Sequence, residues 1–290
     1  MLNVLILNWK SSIAVKECIN SVINSDFKML RLVIINNYSD DRDLAEMRNL
    51  YNDYNKKIDI LFIENSKNSG YAGGNNAGIR YIMNNNFGGD IMILNPDVII
   101  SRDTITEMYK ALDDETGIVS VRTKNTDGKI LYDAIRLIDF FQKKIITNQK
   151  SIPTDYAPGA CMLIKREAIE RIGFFDERFF LYWEEVDFSL RLQKTGFKCV
   201  SVTTTSIIRK KNSIYKSPNA FYYSIRNAWL IKKNHPELFS VKGYVIYILW
   251  MGLLSLKFIQ KPKIFIEVVI SYFSGLIDSA RNKYGERDRL

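Results

Sequence analysis

The sequence predicts an α/β protein in which a mainly parallel sheet is flanked by helices and followed by a helical appendage. Two observations predict it. Over the first 120 residues, short apolar runs alternate with segments of helical spacing, the order that strand–helix–strand units require. Beyond about Thr205 the alternation stops, and long apolar runs flanked by lysines take over.

The elements follow in order. Residues 2–7 form a short run that is apolar apart from Asn3, with no basic leader, so they read as a first strand and not as a signal peptide. Val15, Cys18, Ile19, Val22 and Ile23 keep helical spacing. Strands are predicted at 30–35, 58–63 and 91–94, with helix-compatible segments at 41–54, 74–83 and 104–112. A short strand at 118–121 precedes residues 122–150, whose weak periodicity suggests an excursion over the sheet. Strands are expected again at 160–164 and 198–202. Helices are expected at 166–172 and 184–195, stopped by Gly173 and Gly196. Composition divides the chain into residues 1–205, the sheet-bearing part, and residues 206–290, the appendage.

Each of the first four strands runs into asparagine at its carboxyl end: Asn8, Asn36-Asn37, Asn65 and Asn95-Pro96-Asp97. Ligands of open α/β sheets bind outside those ends, so one polar rim is expected there. Three dispersed cysteines argue against disulfides and structural zinc. The single histidine, His235, excludes chemistry that needs several imidazoles and reads as a surface residue before Pro236. No G-x-S-x-G elbow, G-x-G-x-x-G fingerprint or P-loop is present.

The net charge of +9 is concentrated in the appendage. Residues 206–290 hold 15 Lys+Arg against 5 Asp+Glu, and the other 205 residues hold 26 against 27. Residues 243–256 carry no charge and include Tyr244, Tyr247 and Trp250; Lys257, Lys261 and Lys263 follow. A second apolar stretch, 264–277, is broken by Glu267. Neither stretch reaches the roughly 18–20 residues of a bilayer span. Aromatic, apolar helices flanked by lysines suit an anionic membrane interface. Nucleic acid is excluded as a partner, because the aromatics sit in aliphatic runs and are not interleaved with arginine.

Three segments bear chemistry. Asp97, in a proline-fixed turn after a buried strand, has the hard oxygen ligand that a divalent ion takes beside a diphosphate. The glycine-rich loop at 68–78 permits close backbone approach, and a helix beginning near Gly74 would offer free N–H groups to phosphate or sugar. In residues 173–187, six aromatics precede Glu184 and Glu185. Apolar surroundings raise a carboxylate's proton affinity, as a general base requires, and either glutamate meets that need.

In their order, Asn8-Trp9, residues 34–41, 68–78, Leu94-Asn95-Pro96-Asp97-Val98, Pro158-Gly159-Ala160 and 173–191 resemble glycosyltransferase family 2, especially its bacterial rhamnosyltransferase-like branch. The resemblance covers residues 1–235, with Arg226-Asn227 in its closing segment. It implies a GT-A fold and an inverting single displacement. By resemblance, Glu185 is the base beside Glu184, and Asp97 holds Mg²⁺ or Mn²⁺. Asn8, Asn36, Ser39, Asn68, Gly70, Asn76 and Asn95 bind the donor, and Gly159 and Trp183 bind the acceptor. Three departures stand out: Asn36 and Glu185 each replace an Asp, and residues 207–213 lack the family's frequent metal-binding His.

The expected partners are a nucleotide-diphosphate sugar, a saccharide or lipid-linked saccharide acceptor and an anionic membrane surface. The branch suggests rhamnose as the donor sugar and surface polysaccharide as the product. The expected location is peripheral, on the cytoplasmic face of the cell membrane, and a homodimer stays open. A degenerate sugar-nucleotide-binding or scaffolding subunit is the alternative. A nucleotidyltransferase is disfavoured, because Asn8-Trp9-Lys10-Ser11-Ser12 stands where its phosphate loop belongs.

Overall fold

The computed structural model describes residues 1–210 and 217–287. Strand β1 (Leu2–Asn8), helix α1 (Ser12–Ile23), β2 (Leu30–Asn36), α2 (Asp41–Tyr54), β3 (Ile60–Glu64), α3 (Gly70–Asn84) and β4 (Asp90–Leu94) alternate as expected. β3, β2, β1 and β4 lie side by side in parallel. Successive side chains of a strand face opposite sides. Leu2, Val4 and Ile6 of β1 therefore join a core with Val15, Cys18 and Met47, whereas Leu5 joins another with Ile79 and Ile82. Burial on both faces is why these strands read as unbroken apolar runs.

Beyond β4 the sheet is mixed, a departure from the mainly parallel expectation. β5 (Val98–Ile100), α4 (Thr104–Lys110), β6 (Thr116–Lys124), β7 (Ile130–Tyr132), β8 (Ala134–Ile138), β9 (Phe141–Ile145), β10 (Ser151–Pro153), β11 (Cys161–Ile164), α5 (Arg166–Ile172), α6 (Glu184–Gln193) and β12 (Lys198–Arg209) follow. β11 inserts antiparallel between β4 and β6, and β12 pairs parallel to β6. The excursion at 122–150 is itself stranded: β7 pairs with β6, and β8–β9 form a separate hairpin. Its strands escaped the periodicity reading because the hairpin buries little of its surface, with Arg136, Lys143 and Lys144 all exposed.

The appendage comprises α7 (Pro218–Asn234), α8 (Val241–Ser255), a 3₁₀ turn (Leu256–Phe258) and α9 (Pro262–Ala280). The compositional boundary at 205/206 falls inside β12, which runs on to Arg209. Phe221, Ile225, Tyr247, Met251 and Val268 share one core with Trp183, Val186 and Phe140. At the hairpin turn, the Asp139 carboxylate accepts hydrogen bonds from Ser240 N (3.1 Å) and Oγ (2.6 Å), which ties β8–β9 to the start of α8.

α8 buries one stripe, Gly243, Tyr247, Met251 and Ser255, and leaves Val245, Ile246, Leu249 and Leu253 exposed. α9 likewise exposes Ile266, Ile270, Phe273 and Ile277. With the 3₁₀ turn added, the helical run Val241–Phe258 spans 18 residues and is long and apolar enough, by length and composition alone, to cross a membrane. That corrects the expectation that neither apolar stretch reaches this length; the 3₁₀ turn extends the helix past Ser255.

Candidate active site

The strand ends do form one rim. The Asn8 side-chain amide donates to Asn36 Oδ1 (3.1 Å), Ser39 Oγ (3.2 Å) and Asp43 Oδ2 (2.6 Å), while its Oδ1 accepts from Ser11 N (3.1 Å) and Oγ (3.0 Å). Asp43 also accepts from Ser12 N (2.9 Å) at the start of α1. Burial pushes the Asp43 carboxyl up, but hydrogen bonds from Ser39, Asn8 and Ser12 outweigh it, and the net shift is downward. The sequence analysis missed Asp43. Its only signal was an acid in the first turn of a helix, which ordinarily serves the helix dipole. The Asn36 NH₂ has no protein partner among the described residues, so it is the group of this cluster left for a ligand.

A second asparagine cluster shapes the glycine-rich loop. Asn37 donates to Asn68 Oδ1 (3.0 Å) and to the Gly70 carbonyl (3.0 Å), and accepts from Asn65 Nδ2 (3.1 Å) and Ser69 N (3.1 Å). The helix starts at Gly70, not near Gly74. Nor are its first amides free: Gly70 N donates to Asn68 Oδ1 (3.0 Å), and Tyr71 N to the Phe180 carbonyl (2.7 Å). Gly70 has φ +70°, and a Cβ there would lie 2.2 Å from the Phe180 oxygen, so only glycine fits. Asn76 is fully buried and bonds Phe175 N (3.0 Å), Phe175 O (2.9 Å) and Glu177 Oε1 (2.9 Å). Asn68 Oδ1, the Gly70 backbone and the Asn76 side chain thus anchor the loop to the chain itself.

Five of the six remaining predicted residues meet at one cavity of about 730 Å³. Asn95, Gly159, Trp183, Glu184 and Glu185 all line it, together with Tyr71 and Arg209. The Tyr71 hydroxyl donates to the Gly159 carbonyl (2.6 Å), and a Cβ on Gly159 would collide with that hydroxyl. Glu184 and Glu185 open α6, and each has an Oε2 buried without a hydrogen-bond partner among the described residues. Burial raises both carboxyls. Glu184 is pushed further by the neighbouring Glu185 charge, whereas the Arg209 charge partly offsets the rise at Glu185.

Asp97 is not among the residues lining this cavity and is linked to it through Arg209. Arg209 Nε lies 3.5 Å from Asp97 Oδ2, and Lys210 N donates to the Asp97 carbonyl (3.0 Å). Burial works against the Arg209 charge, but Asp97 foremost, with Tyr132 and Glu185, raises its pKa overall. Arg209 was missed from sequence; its signal was a lone arginine at the end of the last strand, within the stretch that lacks the family's His. Residues 211–213 of that stretch lie outside the described residues.

No group of three or more His, Cys, Asp or Glu that could hold a metal forms among the described residues. Mg²⁺, however, commonly takes one or two carboxylates with substrate phosphates and water. The single Asp97 carboxylate fits an ion held mainly by the substrate.

The loop before α6 is strained. Phe180, Tyr182 and Trp183 have φ of +62°, +68° and +76°, rare for residues with a side chain. Asn227 Nδ2 donates to the carbonyls of Phe179 (2.8 Å), Leu181 (2.9 Å) and Tyr182 (2.9 Å), and the fully buried Arg226 adds one to Phe179 (2.8 Å). Behind α6, Asp187 bonds His235 Nε2 (3.0 Å), Arg191 Nε (2.7 Å) and Asn234 Nδ2 (2.8 Å). His235 is therefore a core residue, 1% exposed, and not the surface residue expected. The turn before Pro236 folds under α6 to reach the buried carboxylate.

A family model for glycosyl transferase family 2 matches residues 4–173. The chain belongs to glycosyl transferase family 2. Over 305 aligned residues it is 25% identical to the low-salt glycan biosynthesis hexosyltransferase Agl10 of Haloferax volcanii, covering all of this chain and 94% of that protein. It is also 39% identical over 59 residues to the N-acetylglucosaminyl-diphospho-decaprenol L-rhamnosyltransferase of Mycobacterium tuberculosis, a match to 20% of this chain and 19% of that one. The mannosyltransferase PcManGT from Pyrobaculum calidifontis, solved with GDP-Man and Mn²⁺, superposes with TM-score 0.58 at 12% identity, over 97% of this chain and 87% of that one. The family 2 chain thus has the GT-A fold, here carried by a mixed sheet and extended by C-terminal helices.

Proposed function

We propose that this family 2 glycosyltransferase is an inverting enzyme. It would move a hexose or deoxyhexose, rhamnose being one candidate, from a nucleotide-diphosphate donor to a hydroxyl of a saccharide or lipid-linked saccharide. The observation that carries the reading is the convergence of Glu185, Asn95 and Arg209 on one cavity, with Asp97 paired to Arg209. Glu185 takes the proton of the acceptor hydroxyl as that oxygen attacks the anomeric carbon. A carboxylate with raised proton affinity suits that task. Burial, and then the Glu185 charge, push the Glu184 carboxyl up further, so Glu185 is the member of the pair that carries the charge.

On the donor side, Asp97 would hold Mg²⁺ or Mn²⁺ together with the diphosphate. Once bound, the ion would neutralise charge on the departing phosphate. Arg209 supplies a second positive charge from the protein and exchanges its partner from Asp97 to phosphate oxygen. The Asn36 NH₂ faces the nucleoside, and Asn8, Ser39 and Asp43 hold it in place. Gly159 and Trp183 border the acceptor. PcManGT, the relative solved with GDP-Man and Mn²⁺, supports a nucleotide-sugar and divalent-ion reading. The mycobacterial relative, named for a diphospho-decaprenol substrate, supports a lipid-linked acceptor.

Residues 206–290 are assigned the second role, seating the enzyme on an anionic membrane. The exposed apolar faces of α8 and α9, with Lys257 and Lys261 between them and Lys263 in the first turn of α9, support it. Incubation with UDP-, GDP- and dTDP-sugars, with Mg²⁺ or Mn²⁺ and a panel of saccharide acceptors, tests the reaction. Release of nucleoside diphosphate with glycosylated product is expected. Donor binding with no turnover on any acceptor would make the protein a nucleotide-sugar-binding subunit instead.

A further inference from the structure

The turn that launches α6 is held from outside. Trp183, at the N-cap of α6, makes no side-chain capping bond. Yet every carbonyl from Arg178 to Tyr182 accepts a hydrogen bond from another element. The Phe180 carbonyl serves Tyr71 N at the opening of α3, and Asn227 serves Phe179, Leu181 and Tyr182. Arg226 Nη2 donates to the carbonyls of Arg178 (3.1 Å) and Phe179 (2.8 Å), and its Nη1 to the Gly285 carbonyl (2.5 Å). Gly285 N returns a bond to the Arg178 carbonyl (2.9 Å). The segment after α9 thus closes on the turn. Arg287 seats it: its N donates to the Tyr223 hydroxyl (2.9 Å), its guanidinium donates to Ser271 Oγ of α9 (2.9 Å) and lies 4.4 Å from the Tyr222 ring centre.

We propose that residues 281–287 form a strap that positions the base, with Arg226 as the positioning residue through which it acts. The proposal rests on the glycosyl-transfer reading above, in which Glu185 is the base, and adds the residues that fix its place. Stability alone does not account for Arg226. Its guanidinium is fully buried, bonds Asn227 Oδ1 and three carbonyls, and pairs with no carboxylate among the described residues. An apolar side chain of similar volume is often as stable as a buried charge. What it lacks is directional bonds to two segments at once. A turn with three left-handed residues keeps that backbone only while its surroundings hold it. With the strap released, the Arg178 carbonyl loses a donor, Arg226 loses an acceptor, and Glu185 moves with the turn. A misplacement of about 1 Å costs a rate factor near 100. The Asn8–Asn36 cluster, on the strand ends, makes no contact with the strap through these bonds and stays in place. The appendage therefore has two parts: the outer faces of α8 and α9, assigned to the membrane, and a strap that belongs to the catalytic unit.

The test uses Gly285→Val and Arg287→Ala in the full chain. Gly285 has φ +89°, and a Cβ there meets nothing within 4 Å, so valine acts through the backbone and not by collision. Amide hydrogen exchange reads the strap directly. The amides of Tyr71, Leu181 and Asp187 bond carbonyls of the turn and should exchange about tenfold faster in both variants, with those of β1 to β4 unchanged. With the donor and acceptor that turn over, kcat should fall about tenfold or more, while affinity for UDP, GDP or dTDP changes by less than about twofold. The folded fraction, read by circular dichroism at the assay temperature, should match the unmodified protein. Arg226→Met keeps an apolar side chain of similar length and should fold with the same loss of kcat. The proposal is overturned if exchange at these amides is unchanged, if kcat is unchanged, or if nucleotide affinity or the folded fraction falls in step with kcat. Absence of nucleotide binding and turnover in the unmodified protein would instead sink the glycosyl-transfer reading, and the exchange result still decides whether the strap holds the turn.

Discussion

The Arg209 guanidinium stands 3.5 Å from the Asp97 carboxylate, joining the end of the last long strand to the turn after the fourth. The same arginine lines the cavity with Glu185 and lowers that carboxyl's proton affinity. One cation thus touches both halves of the proposed reaction.

Arg209→Ala should lower kcat/KM by roughly 100-fold, the scale of losing one preorganised charge at a leaving group. The rate of nucleoside diphosphate release measures it. Arg209→Lys should recover part of the loss. An unchanged rate in the alanine variant would remove Arg209 from the mechanism.

Glu185→Gln should cut kcat by about 10²- to 10⁴-fold with little change in donor affinity. The base acts as a carboxylate, so activity must fall as pH drops through its pKa. Burial raises that pKa, so the acid limb of the pH–rate profile should lie above the ordinary glutamate value of about 4.3. Removing Arg209 should move the limb higher still, because its charge holds Glu185 down.

Asn227→Ala removes the amide that holds three carbonyls of the strained Phe179–Trp183 turn. Leaving these groups unpaired should cost about 1–3 kcal/mol. A thermal melt should show a lower Tm, and activity should fall further than the folded fraction predicts, because the turn launches the helix that carries Glu185.

Asp187 links pH to stability. Burial pushes its carboxyl up, but His235, Arg191 and Asn234 outweigh that and hold it below the usual value. A depressed folded-state pKa gives stability that is full above the unfolded value, near pH 4, and is lost as pH falls through the folded one. Asp187→Asn should cost roughly 3 kcal/mol at pH 7. Urea titrations should show the gap from the unmodified protein narrowing below pH 4.

Leu249→Gln/Leu253→Gln alters only the outer face of α8, so folding should be preserved. Sedimentation with phosphatidylglycerol vesicles should drop severalfold. Deleting the appendage is a poorer test, since Tyr247, Met251 and Val268 belong to the core beneath Trp183. Undiminished sedimentation of the double variant would refute the membrane role of this face.

The alternation of the first four strands, the asparagines at their ends and the paired glutamates at the start of α6 were legible in the sequence. Each is a local matter: unbroken apolar runs alternating with period-3.6 apolar spacing, and turn chemistry at strand ends. The excursion at 122–150 was not legible as strands, because an exposed hairpin carries no alternating pattern.

By itself, the sequence determined the two-sided parallel core, the polar rim and the uneven charge of the last 85 residues, since these depend on residue type and spacing alone. Tertiary structure alone decided that Arg209 meets Asp97, 112 positions away, and that Asn37 and Phe180 occupy the loop once expected to meet phosphate. It also buried His235 under α6. Such pairings join distant segments, and hydrogen-bond geometry selects them only after the sheet order has brought those segments together.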